Sequence, residues 1–565
     1  MASKGKTSGA ADERETLLHC LLYWEKTAPN RVYLTQPYPD GKVVDYTWRE
    51  VGDQVRRMAA HLNSLNLPPH SNVALLGRNS AHWIMADLAT WMAGHVTVPL
   101  YPTLNAESAQ YILEHSEAKL IFIGKMDGKA DGWNEMKTVI PAGMPKVGLP
   151  MSPLPDIPQW NDIIAKTEPL KNPKLPGAED LATIVYTSGS TGNPKGVMHC
   201  FRAMVQIANA RELFPVDENE RMLSYLPLAH VAERAAVEAN SLYNGFHIFF
   251  ANSLDTFVQD LRRARPTLFF SVPRLWTKFY LGVNEKLPQR KQKLLFSIPI
   301  LSRIIKKKIL TQLGLEHVRA AITGAAPLPP DIIRWYRGLG LELLELYGMS
   351  ENFGYSHANR PGRTRIGYVG NVNPGCEHRI AENGEILVKS PAQMMGYYKL
   401  GKDADGLTAD GFFHTGDMGE LDGEGRLKIT GRVKELFKTS KGKYVAPVPI
   451  ENKFNHPKVE VVCVAGASQP QPFALVMPSL DAQKELNGSG GRETFQKELE
   501  SLLDEVNATL NEHEKLDYLV VVKDQWTMDN GFLTPTMKIK RNVIEKRYEP
   551  QVDRWAGARQ KVVWE

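Results

Sequence analysis

A short, mostly apolar run, Leu181-Ala182-Thr183-Ile184-Val185-Tyr186, leads straight into Thr187-Ser188-Gly189-Ser190-Thr191-Gly192-Asn193-Pro194-Lys195-Gly196-Val197. The run reads as a buried strand, so the loop is expected to hang from a rigid sheet edge. Glycines let backbone approach an anion closely, and successive turn N–H groups form a cradle for phosphate oxygens. Thr187, Ser188, Ser190 and Thr191 add hydroxyl donors and candidate Mg2+ ligands, and Lys195 adds a fixed positive charge. The order Pro194-Lys195-Gly196 is not the Walker pattern, which needs Gly-Lys followed by Ser or Thr. A plain Ser/Gly/Thr surface turn is the bland alternative, and the length of the run disfavours it.

At 565 residues the chain is too long for one core, so two or more domains are expected. No run of eighteen apolar residues occurs, which argues against a spanning helix. The first thirteen residues are polar and small, without the apolar core of a signal peptide. Cys20, Cys200, Cys376 and Cys463 lie far apart, with neither metal-ligand nor disulfide-scaffold spacing; a reduced, cytoplasmic setting is expected. The net charge of +5 is modest, but its distribution is uneven. Lys286, Arg290, Lys291, Lys293, Arg303, Lys306, Lys307 and Lys308 occur with no intervening Asp or Glu, interleaved with Leu294, Leu295, Phe296, Ile298, Ile300, Leu301, Ile304 and Ile305. Two readings stand: a solvated helical insertion, or peripheral contact with an anionic membrane. A nucleic-acid partner is not expected, because aromatics beyond Phe296 and any recognised module are missing there.

Helical spacing over Leu17–Glu25, Thr47–Leu65 and Ala81–Ala93 alternates with strand runs at Asn72–Leu76 and His95–Leu100, a βαβα rhythm that predicts a parallel sheet covered on both faces. Nine prolines between Pro141 and Pro176 predict an irregular surface excursion. A second α/β unit follows, with strands near Arg221–Tyr225, His247–Phe250, Thr267–Ser271 and Ala320–Thr323. From about 370 to 429, short strands and Gly-rich turns suggest a small β-barrel. The expected division is an N-terminal domain over 1–430, a hinge at 431–434 and a smaller α+β domain over 435–565.

Further segments belong with the loop. They are Leu226-Pro227-Leu228-Ala229-His230-Val231, Thr323-Gly324-Ala325-Ala326-Pro327, Leu346-Tyr347-Gly348-Met349-Ser350-Glu351, His414-Thr415-Gly416-Asp417, Gly431-Arg432-Val433-Lys434-Glu435-Leu436-Phe437-Lys438 and Leu533-Thr534-Pro535-Thr536-Met537-Lys538-Ile539-Lys540-Arg541. In this order they resemble the adenylate-forming superfamily of acyl-CoA synthetases, peptide-synthetase adenylation domains and luciferases. The resemblance implies a large N-terminal adenylation domain of two α/β subdomains plus a small β-barrel, with a mobile C-terminal domain that rotates between two half-reactions. It places the loop Thr187 to Gly192 and Lys195 on phosphates, and Gly324, Ala325, Ala326, Tyr347, Gly348, Met349 and Ser350 around adenine. It puts Asp417 and Arg432 on the ribose, Lys438 near the phosphates, and Thr187 and Glu351 on Mg2+. His230 falls beside the substrate carboxylate, and Lys538 bridges that carboxylate and the α-phosphate. This chain has Gly431 where many members have Asp, and Met537 where many have Gly.

The run Pro227-Leu228-Ala229-His230-Val231-Ala232-Glu233-Arg234, with Lys441 to Pro447 and Thr534 to Thr536, looks like the long-chain fatty acyl-CoA synthetase branch. The implied reaction joins ATP, a fatty acid and CoA, giving acyl-AMP and pyrophosphate and then acyl-CoA and AMP. An adenylating enzyme that passes the acyl group to a carrier-protein thiol or another acceptor shares the same motifs. A Trp gate known in one bacterial member would fall at Arg234 here.

Overall fold

The computed structural model describes residues 14–127, 131–187, 193–208, 213, 215–253, 255–486, 490–528, 530–534 and 538–565. The helix Ala81–Met92 is buried along its whole length. It packs against the helix Trp48–Ser64 and against strands of two different sheets, Asn72–Leu76 with Val96–Leu100, and Val32–Pro37. Its all-round apolar sequence follows from that position, since no face meets water. Ser80 caps it, with its hydroxyl accepting the Trp83 N–H at 3.2 Å. Trp48–Ser64 buries one stripe only (Val51, Val55, Met58, Ala59 and Leu62) and starts at a capping box in which Thr47 and Glu50 satisfy each other's amides. Each such fully buried Val or Leu stabilises the fold by about 1.5–3 kcal/mol.

Among the described residues the largest sheet has the order Gly396–Tyr397, Lys195–Cys200, Leu181–Thr187, Val96–Leu100, Asn72–Leu76, Leu120–Ile123, Lys146–Gly148. Its last five strands pair in parallel, and Lys195–Cys200 returns antiparallel beside Leu181–Thr187. Val32–Pro37, His247–Phe250 and Arg221–Ser224 form a second parallel set. A third set, Leu268–Ser271, Ala320–Thr323 and Leu343–Tyr347, joins it where the Thr267 N–H donates to the Arg221 carbonyl at 2.9 Å.

The proline-rich excursion is a correction. Lys146–Gly148 is the edge strand of the large sheet, and Trp160–Lys166 is a helix whose Trp160 is fully buried and donates to Gln54 at 2.9 Å. The prolines flank these two elements and occupy neither, so no ladder or helix bond is lost. The region assigned to a small barrel takes the form of a four-stranded antiparallel sheet, ordered Glu377–Ile380, Glu385–Lys389, Phe413–Leu421, Leu427–Arg432.

Beyond it, Val459–Ala465 and Phe473–Pro478 pair antiparallel, and Leu519–Val521 and Val562–Trp564 add in parallel. The helix Gly491–Asn507 buries Phe495, Leu499, Leu502, Leu503 and Val506 in this unit's own core.

Candidate active site

Thr187 and Lys195 are register partners at the open end of the hairpin formed by Leu181–Thr187 and Lys195–Cys200. They frame the glycine- and hydroxyl-rich segment; Ser188, Gly189, Ser190, Thr191 and Gly192 lie outside the described residues. Lys195 holds its ammonium 4.6 Å from the centre of the Tyr397 ring. The Tyr397 hydroxyl donates to Glu351 Oε1 at 2.8 Å. Tyr397 lies on the short strand that pairs with Val197, so the sheet itself delivers it. Sequence reasoning missed this residue. No linear pattern marks it, because its role follows from strand order alone.

The turns that begin at Gly324 and Gly348 sit at the ends of two neighbouring parallel strands, Ala320–Thr323 and Leu343–Tyr347. Ala325 and Ala326 are exposed, and Ala325 adopts φ 68°, a left-handed conformation that costs a residue with a Cβ about 1–2 kcal/mol. Gly348 must be glycine, since a Cβ there would lie 2.3 Å from the Gly354 carbonyl oxygen. That close approach is followed by the short 3-10 turn Ser350–Asn352, with the Met349 N–H just before it on Asn352 Oδ1 at 3.0 Å.

Asp417 and Arg432 are cross-strand partners, and Arg432 Nε lies 2.9 Å from Asp417 Oδ1. The other Asp417 oxygen accepts the Tyr347 hydroxyl at 2.8 Å. Gly416, at φ 71°, sits in the strand Phe413–Leu421 where its register with Glu385–Lys389 shifts, and Glu385 accepts the Gly416 N–H at 2.9 Å. Burial, then the Asp417 charge, pushes the Tyr347 phenol well above its ordinary value, so it stays a donor. Lys438 is exposed in the hairpin Phe437–Lys438/Tyr444–Val445, and its ammonium lies 5.6 Å from the Tyr444 ring centre instead of in this chain.

Lys538 comes from the C-terminal unit. Its backbone N–H donates to Thr534 Oγ1 at 3.1 Å, and the Thr534 N–H donates to the Lys538 carbonyl at 2.8 Å, which closes a loop. Lys538 is exposed. Its pKa is nonetheless lowered, by desolvation first and then by Arg432, against the opposing pull of Asp417 and Glu435. The same ammonium acts on His230, whose pKa is pushed to about 4 by burial and then by Lys538. Three residues on, Arg541 pairs with Glu451 at 2.8 Å and reaches Glu435 at 4.0 Å, anchoring the lysine loop in its own unit.

His230 precedes a short helical turn, and its Nδ1 accepts the Ala232 N–H at 3.0 Å. With Nδ1 an acceptor and the ring neutral, the proton stands on Nε2, ready to donate to a carboxylate oxygen. Arg234 is fully buried and paired with Asp87 and Glu238, and it donates to Thr183 at 2.6 Å. Burial, then the Asp87 charge, raises Glu238 well above the carboxylate range. A side chain pinned in this way is an anchor rather than a swinging gate.

The AMP-binding enzyme family matches residues 23–398, and the AMP-binding enzyme C-terminal domain matches residues 435–558. The chain belongs to the AMP-binding enzyme family. It is 28% identical over 585 residues to the long-chain-fatty-acid–CoA ligase FadD15 of Mycobacterium bovis, covering 96% of this chain and 97% of that protein. It is 30% identical over 571 residues to the peroxisomal long chain acyl-CoA synthetase 6 of Arabidopsis thaliana, covering 89% and 80%. Among solved structures, the adenylation domain of a carboxylate reductase from Mycobacterium chelonae superposes with TM-score 0.80 at 22% identity, over 98% of this chain and 92% of that one. An anthranilate CoA ligase bound to anthranoyl-AMP superposes at 0.76 and 19%, over 95% and 98%.

Proposed function

We propose that this family member activates a long-chain fatty acid with ATP and passes the acyl group to CoA. The observation that carries the reading is the pair of side-chain chains at the ends of neighbouring strands, Lys195–Tyr397–Glu351 and Arg432–Asp417–Tyr347, which place cations and carboxylates together for a nucleotide. A carboxylate oxygen attacks the α-phosphorus and pyrophosphate leaves; the CoA sulfur then attacks the acyl carbon, AMP leaves and the thiol proton is released. Lys538 offsets the repulsion between two anions in the first step. One charge pair at about 4 Å is worth roughly 4 kcal/mol at an effective dielectric of 20. The neutral His230 holds the carboxylate by Nε2–H, and Asp417 accepts ribose hydroxyls. Lys195 or the loop amides steady the leaving pyrophosphate. Catalysis is then positioning plus preorganised charge.

Glu351 and Thr187 would hold Mg2+. Among the described residues no cluster of three or more His, Cys, Asp or Glu fits a metal, and a single carboxylate with a hydroxyl suits an ion that takes most of its oxygens from phosphates and water. When bound, the ion neutralises phosphate charge. Residues 431–434 act as the hinge between bodies 1–430 and 435–565, carrying Lys538 away after adenylation.

Among the described residues no helix is long and apolar enough to cross a membrane. The basic stretch folds into two helices, Gln289–Phe296 and Pro299–Leu313. Leu294, Ile298, Ile300 and Ile304 are exposed beside the lysines, Ile300 by 79%. This surface rests peripherally on anionic lipid, from which an amphipathic acid is drawn.

The test is pyrophosphate release with a panel of carboxylic acids, each with and without CoA. Acyl-CoA formed from long-chain acids is the expected product. Release that is unaffected by CoA, with acyl-AMP accumulating, would assign the acyl group to another acceptor.

A further inference from the structure

The turn that carries His230 is held from outside by a side chain that none of the nucleotide motifs contains. Asn79 directly precedes the cap of the central helix Ala81–Met92. Its Oδ1 accepts the Leu228 N–H at 3.1 Å, and its Nδ2 donates to the Leu226 carbonyl at 2.6 Å and to Ser224 Oγ at 2.8 Å. One amide thus grips both sides of Pro227, and neither of its two atoms could be exchanged for the other. Glu233, one turn past His230, closes the grip from the opposite side. Its Oε1 accepts the Ser224 hydroxyl at 2.8 Å and the Tyr225 N–H at 3.0 Å, and lies 3.3 Å from Asn79 Nδ2. Asn79, Ser224 and Glu233 are all buried. Farther along the same two elements, Asp87 of the central helix pairs with Arg234.

We infer that Asn79 and Glu233 are positioning residues for His230, forming a clamp that fixes the 226–230 turn against the central helix so that Nε2–H meets the acid's carboxylate. This rests on the role of His230 in the proposed function. Rigidity there matters because misplacing a reacting group by about 1 Å costs on the order of a hundredfold in rate. A clamp of neutral hydrogen bonds predicts a sharp chemical distinction. Glu233→Gln keeps an acceptor at Oε1, whereas Glu233→Ala removes it. Asn79→Asp keeps the shape but turns a donor toward Leu226 into a second acceptor.

The experiment is pyrophosphate exchange by the full chain with hexadecanoic acid, with ATP and acid varied separately and melting temperature recorded. Glu233→Ala and Asn79→Asp should each lower kcat for adenylation at least tenfold and raise the acid KM, with the ATP KM within twofold of wild type. Glu233→Gln should recover at least half of the wild-type rate. In a His230→Ala background the same changes should cost less than twofold, since their effect runs through the histidine. Wild-type rates in folded Glu233→Ala and Asn79→Asp proteins would overturn the clamp. So would a parallel rise in the ATP KM, or a full additional loss in the His230→Ala background. Should Glu233→Ala fail to fold, Asn79→Asp and Ser224→Ala bear the same test. Absence of exchange by wild type with every acid would instead overturn the proposed function.

Discussion

Asp417 and Arg432 stand opposite each other on antiparallel strands, with Arg432 Nε 2.9 Å from Asp417 Oδ1, and the second Asp417 oxygen holds the Tyr347 hydroxyl. Two elements distant in sequence from Tyr347, the strand Phe413–Leu421 and the strand ending at Arg432, are locked to it through one carboxylate. Arg432 is also the last residue of the strand that leads into the 433–435 turn. Asp417 and the start of the proposed hinge are therefore mechanically continuous.

Asp417→Ala should weaken ATP binding by about 1–3 kcal/mol, because Tyr347 and Arg432 lose their shared acceptor as well as the ribose. Calorimetric titration with ATP checks this. An unchanged affinity would remove Asp417 from the nucleotide site.

Lys538→Ala should depress adenylate formation by roughly 10²–10³, corresponding to about 2.7–4 kcal/mol for one preorganised donor. Conversion of supplied acyl-AMP plus CoA to thioester should survive, since the lysine serves only the first step. Lys540→Ala is the control and should leave both half-reactions within a few-fold of wild type. Equal damage to both steps in Lys538→Ala would make the residue structural.

Ala325→Gly should raise thermal stability by about 1 kcal/mol, because the φ of 68° is strained for alanine and free for glycine. Differential scanning calorimetry reads it directly. A lowered melting temperature would mean that the Cβ contributes more packing than the backbone strain costs.

Glu233 has its carboxyl raised from about 4.5 to about 8, chiefly by burial. The folded chain keeps a proton between these values that the unfolded chain releases. Stability contributed by this group is thus full below about pH 4.5 and is lost as pH rises toward 8, by up to about 1.4 kcal/mol per pH unit. Glu233→Gln cannot titrate, so its melting temperature should gain on that of wild type as pH rises from 5 to 8. A constant difference across that range would contradict the assignment.

Charge reversal at Lys306, Lys307 and Lys308 should weaken binding to anionic vesicles by at least about 3 kcal/mol, at about 1 kcal/mol per basic residue near the surface. Activity on detergent-dispersed acid should be unchanged. Cosedimentation with phosphatidylglycerol vesicles measures the first; equal binding by both proteins, or none by either, would return the helices Gln289–Phe296 and Pro299–Leu313 to a merely solvated surface.

Much of the architecture was legible in the chain. Asn72–Leu76, His247–Phe250 and Ala320–Thr323 are strands at the boundaries read from sequence, because apolar runs this short bounded by turn residues have few other ways to be buried. The pairing of Thr187 with Lys195 across one hairpin was legible too, since an apolar run leading into a Gly-rich segment reads as a strand ending in a loop. The edge strand Lys146–Gly148 and the helix at Trp160 were not, because prolines at their flanks look like prolines within them. Tyr397 behind Glu351, Asn79 behind His230 and the Arg234 anchor came only from tertiary structure. Their partners lie 46, 149 and 147 residues away. Local sequence dictates which turns carry chemical groups, through backbone conformation and residue type. The packing of distant elements decides which side chains hold those groups in place, and that depends on the crossing of sheets and the burial of one central helix.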